Sequence, residues 1–104
     1  GRAMIYKFKS KASGDVIMLG PNGDQLLRLL GREPAPKGIV EAEHLAAAIA
    51  TLREAVRRDE APPPEDEADE PMPGKGVSLR QRLWPVIELF ERSLAAREPV
   101  VWGV

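Results

Sequence analysis

Four groups of residues in this sequence are of types that could carry chemistry, and spacing decides what each can do. His44 is the single histidine, and Glu41 and Glu43 stand near enough to suggest a three-residue metal site. Helical ligands converge at i and i+3 or i+4, so Glu41 and His44 can share a face while Glu43 points elsewhere. A solvated histidine is the expectation. The serines are Ser10, Ser13, Ser78 and Ser93, and none lies in a nucleophile-elbow sequence. Carboxylates are densest between Asp59 and Glu70, a Pro-rich stretch in which nothing would hold two of them at a fixed separation or raise their pKa by burial. Gly20-Pro-Asn-Gly23 has the Gly-x-x-Gly form that can bring backbone N–H groups to a phosphate. Pro21 removes one donor there, the loop has no Lys or Arg, and Asp24 follows, so it reads as a turn before a helix. With no cysteine in 104 residues, disulfides, thiolate catalysis and Cys-based metal centres are excluded. No enzymatic activity, metal or cofactor is expected.

A fifth group is basic and aromatic. Arg80, Trp84, Arg92 and Arg97 fall in one helical stretch, together with Arg82, and could present an interaction surface. Glu88 and Glu91 sit among them, and Arg82 and Arg92 lie far apart on the helical wheel, so a solvated outer face with snorkelling stems is the plainer reading. The net charge of −1 conceals an asymmetry: residues 59–70 hold seven of the 16 acidic residues and no base, leaving 15 basic residues against nine acidic ones elsewhere. This is a mildly basic body carrying an acidic strap.

These groups need elements to position them. Ile5 to Lys9 alternates, Tyr6 and Phe8 on one face and Ile5, Lys7 and Lys9 on the other, as a half-buried strand does. Val16 to Leu19 is too short for periodicity to separate a hairpin strand from a helical turn. Asn22 or Asp24 is placed to cap a short helix holding Leu26, Leu27, Leu29 and Leu30, with Gly31 as its terminating glycine. Arg32 to Gly38, containing Pro34 and Pro36, reads as a loop. Leu45, Ile49, Leu52 and Val56 then recur at helical spacing within a helix expected from Glu41 to about Asp59. Residues 60–76 contain five of the ten prolines and only one sizeable apolar side chain, Met72, the composition of a mobile linker. Ser78 and Gln81 form a capping box for a helix from Leu79 to about Arg97, whose apolar stripe is Leu79, Leu83, Val86, Ile87, Phe90 and Leu94. Val100 to Val104 reads as a closing strand. Residues 1–3 read as a cloning remnant ahead of a single domain over 4–104.

The terminal blocks, Met4-Ile-Tyr-Lys-Phe-Lys-Ser-Lys-Ala12 with Asp15-Val-Ile-Met-Leu19, and Gly76-Val-Ser-Leu-Arg-Gln-Arg-Leu-Trp-Pro85 through Val101-Trp-Gly-Val104, resemble a family of small proteobacterial proteins known as domain of unknown function 1840. The resemblance implies a single-domain cytoplasmic protein and assigns no functional residue. The residues themselves indicate an α+β fold in which three helices pack on a two- or three-stranded sheet that pairs the N- and C-terminal strands. The functional expectation is a non-enzymatic interaction domain that binds a second copy of itself or another protein. The alternative is a nucleic-acid accessory protein using the basic body. No run approaches the length of a membrane span, and no membrane partner is expected.

Overall fold

The computed structural model describes residues 5–60 and 78–103, so most of the expected linker lies outside the described residues. Glu60, counted at the head of that linker, instead closes a helix. The chain begins with a hairpin of β1 (Ile5–Ser10) and β2 (Ser13–Leu19), joined at Lys11 and Ala12. The ambiguous run Val16 to Leu19 is therefore strand, paired antiparallel to β1 with Tyr6 opposite Met18 and Phe8 opposite Val16. Helix α1 (Gly20–Leu29) follows at once, then β3 (Gly38–Val40), a 3₁₀ turn (Ala42–His44) and α2 (Leu45–Glu60). Helix α3 (Leu79–Ala96) and β4 (Val100–Trp102) complete the fold.

The sheet has four strands in the order β2-β1-β4-β3, all antiparallel, one more than expected. The extra strand is β3, which begins two residues after Pro36. Its three residues show no period of their own and are drawn into extended conformation by pairing with β4, Ile39 opposite Val101. The chain's first and last strands do meet, with Phe8 opposite Trp102 at the centre of the sheet. Their rings pack edge to face at 5.5 Å, and Tyr6 stacks on Phe8 at 5.9 Å. Trp102 completes the arrangement by donating its indole N–H to the Ala35 carbonyl at 3.1 Å.

Helix boundaries show which local signals prevailed. The expected caps Asn22 and Asp24 do not cap α1, which starts at Gly20 with no side-chain cap. Pro21 is tolerated in this first turn because its missing N–H would have had no helical partner. Asp24 instead accepts a hydrogen bond from the Tyr6 hydroxyl at 2.5 Å, tying α1 to β1. At the other end Gly31 takes φ +79°, and the N–H groups of Gly31 and Arg32 return to the carbonyls of Arg28 and Leu27, a Schellman ending. The Ser78–Gln81 capping box is present in full, and α3 runs on past Pro85.

The helices cover one face of the sheet. Leu45, Ile49, Leu52 and Val56 of α2 are all buried, as are Leu79, Leu83, Val86, Ile87 and Phe90 of α3, while Leu94 is partly buried against the same core. Ser93 is fully buried and lies within 2.7 Å of both Ser10 Oγ and the Leu89 carbonyl. No helix among the described residues is long and apolar enough to cross a membrane.

Candidate interaction surface

Helix α3 distributes its basic and aromatic residues rather than gathering them. Arg80, in its first turn, donates from Nε and Nη2 to the Glu60 carboxylate at 2.6 and 3.0 Å, bridging the start of α3 to the end of α2. The hydrogen bond from Arg80 holds the Glu60 carboxyl below the usual carboxylate range. The Arg80 guanidinium also lies over the Trp84 ring, 5.8 Å from its centroid. Trp84 is 40% exposed, neither core nor free surface. It edges a groove of about 190 Å³ between α2 and α3, together with Val56, Ile87, Arg53 and Arg57.

The arginines around that groove are engaged by carboxylates. Arg53 pairs with Glu91 across the two helices. Arg57 and Arg58 both reach Glu54, and their hydrogen bonds, that of Arg57 first, hold its carboxyl down to about 2. Arg92 lies twelve residues along α3 from Arg80, about 18 Å at the helical rise. It donates to Ser13 Oγ of β2 at 3.2 Å. Arg97 ends the helix in the left-handed conformation, φ 57°. The four candidate residues therefore belong to two ends of the helix: Arg80 and Trp84 form one contact group, and Arg92 and Arg97 stand apart from it.

The remaining candidates are dispersed as well. Glu41, Glu43 and His44 are all exposed around the 3₁₀ turn, and among the described residues no three metal-ligating side chains converge. The Gly20-Pro-Asn-Gly23 stretch forms the opening of α1. There Asn22 Oδ1 accepts from Arg82 Nη1 at 3.4 Å, while Arg82 Nε is buried without a hydrogen-bond partner among the described residues.

The surface that sequence reasoning missed is the face of the sheet opposite the helices α1, α2 and α3. Alternation that sends Tyr6, Phe8 and Met18 into the core sends Ile5, Ile17 and Leu19 outward, where they are 64, 63 and 60% exposed. Ile5 and Leu19 are direct cross-strand partners, and Ile17 is the next outward residue of β2, so the three form one apolar corner at β1 and β2. Lys7 lies opposite Ile17 and pairs with Asp15 at 3.8 Å, leaving the corner's charge balanced. Farther across, Val101 is partly exposed and Ile39 is 38% exposed. One signal for this face was legible: Ile5 shares its side of the strand with Lys7 and Lys9. Ile17 and Leu19 gave none, because Val16 to Leu19 is apolar throughout and hides which side is buried.

Neither the curated proteins nor the solved structures yielded a match to this chain. A family model does match, spanning nearly all of the sequence and all but the last two residues of the terminal blocks. By that match over residues 4–102 the chain belongs to the family described as domain of unknown function (DUF1840).

Proposed function

We propose that this protein is a non-enzymatic interaction domain that works by self-association through the apolar corner of its sheet. The observation that carries the reading is the adjacency of Ile5, Ile17 and Leu19, each at least 60% exposed, on a face over which no helix lies among the described residues. Scattered exposed apolar residues are ordinary, whereas contiguous ones mark contact surfaces. Each of these side chains that a second copy covers gains up to about 1–2 kcal/mol, and less where the cover is partial, scaled from the full burial of an aliphatic side chain. The arginines at the α2–α3 groove favour a protein contact over a phosphate contact, since Arg53, Arg57 and Arg58 of α2 and Arg80 of α3 are engaged by neighbouring carboxylates.

Sedimentation of the wild-type chain across micromolar concentrations tests the reading. The expected result is a rise from the 11.4 kDa monomer toward twice that mass, with Ile17→Lys held at the monomer. A wild type that stays monomeric at all concentrations refutes self-association.

A further inference from the structure

Resting on that reading, we infer that two copies join through their β2 strands, edge to edge and antiparallel, into one continuous eight-stranded sheet. The two edges of the four-stranded sheet differ in how they are protected. β3 is three residues long, is preceded by Pro36 and Lys37 and is followed by Glu41, features that discourage further pairing. β2 is seven residues long, contains no proline or lysine, and among the described residues pairs only with β1. Its outer row of N–H and C=O groups is therefore a template for another strand.

Charge placement selects edge pairing over stacking of the two open faces. Lys7 and Lys9 point outward from β1, an inner strand of the sheet, so face-to-face packing would take their ammonium groups out of water. Edge pairing extends the sheet beyond β2 and leaves β1 where it is. The same strand also suits itself as partner. A two-fold axis satisfies both edges with one set of contacts, and the Lys7–Asp15 pair leaves the corner with no net charge to repel a copy.

Register follows from the outward row Asp15, Ile17, Leu19. An axis at Asp15 would set two carboxylates directly opposite, which is unfavourable. An axis at Ile17 sets Ile17 against the partner's Ile17 and Leu19 against the partner's Asp15, with Ile5 flanking Leu19 on the inner side. An interface of one strand pair falls below the standard size for stable complexes, so the dimer is a weak one that forms and dissociates at micromolar concentration.

Because the chain has no cysteine, single substitutions report the contact without background. Opposed residues in an antiparallel pair are about 4.5–5.5 Å apart at Cα, within disulfide range. Ile17→Cys, at an exposed position, is oxidised mildly at a concentration where the wild type sediments as a dimer, with Ile39→Cys on the other edge as control. The expected outcome is a disulfide-linked dimer from Ile17→Cys and little from Ile39→Cys, with circular dichroism of the reduced proteins matching wild type. Equal cross-linking of both variants, or none at position 17 beside a dimeric wild type, overturns edge pairing while leaving self-association standing. A monomeric wild type overturns both.

Discussion

Tyr6→Phe separates one hydrogen bond from everything else that Tyr6 does. The ring stacks on Phe8 at 5.9 Å and is 2% exposed, and phenylalanine preserves both features. What disappears is the 2.5 Å hydrogen bond from the hydroxyl to Asp24 Oδ1, which ties β1 to α1 across 18 positions of sequence. A hydrogen bond to a charged group contributes about 1.5–3 kcal/mol, and the lower end applies because Asp24 is half-buried and regains water. A loss of about 1.5 kcal/mol lowers the thermal midpoint of a domain this size by roughly 6–12 °C. The same bond leaves a pH signature. Burial first, then the hydrogen bond and the charge of Asp24, push the Tyr6 hydroxyl up from 10.0 to about 12. Below pH 10 both the folded and the unfolded chain keep this proton, and the stabilisation is complete. Between pH 10 and 12 the unfolded chain releases a proton that the folded chain retains, so stability falls, at up to about 1.4 kcal/mol per pH unit. Tyr6→Phe lacks this component, and every other group is common to the two proteins. Urea unfolding at pH 7, 9, 10, 11 and 12 is expected to show the wild-type advantage shrinking above pH 10. Parallel stability curves for the two proteins up to pH 12, or a difference below about 0.5 kcal/mol at pH 7, would refute the assigned role of the hydroxyl.

Trp84→Ala is expected to cost about 1.5 kcal/mol in urea unfolding, less than the 3–5 kcal/mol of a core tryptophan, because the 40%-exposed ring leaves a groove open to water rather than a cavity. Gly38→Ala would place a Cβ 2.3 Å from Cζ2 of Trp102, a ring already fixed by Phe8 and the Ala35 carbonyl, so a loss of about 2 kcal/mol and a shifted tryptophan emission are expected. Arg97→Gly relieves a left-handed residue at the end of α3, φ 57°, and is expected to raise the unfolding free energy by about 0.5–1 kcal/mol. Removing residues 99–104 takes out β4 from between β1 and β3, and circular dichroism is expected to report an unfolded chain.

The sequence is most readable where one physical requirement acts alone. The α2 stripe at Leu45, Ile49, Leu52 and Val56 needs only amphipathicity, and the start of α3 needs only the Ser78–Gln81 pair. Tyr6 and Phe8 announce a one-sided strand. Legibility fails where tertiary contact decides. Ile39 is extended because Val101 lies beside it, and no periodicity in Gly38 to Val40 could have said so. Gly20 and Pro21 look like a turn in isolation, yet a helix's first turn asks for no backbone donor and accepts them. Among surface residues, Trp84 is legible as lying off the stripe. The exposure of Ile17 and Leu19 is not, since the alternation of an all-apolar run becomes visible only once β1 pairs with it.

The residues flanking the acidic segment explain how a strap of that composition is compatible with an ordered body. Glu60 is the last residue of α2 and Arg80 the second of α3, and their two hydrogen bonds hold the helix ends together. Arg53 and Glu91 bind the same two helices farther along, and the buried apolar faces of both meet in one core. The separation that the intervening residues must bridge is thus set by the folded body, and loop-closure entropy rises only with the logarithm of their number. Exposed ion pairs of this kind each contribute little to stability. Their placement matters more: Arg80 with Glu60 and Arg53 with Glu91 tie α2 to α3, and neither pair involves Ile5, Ile17 or Leu19. The sequence between the helices can therefore vary in length and charge while these pairs keep the helix ends together.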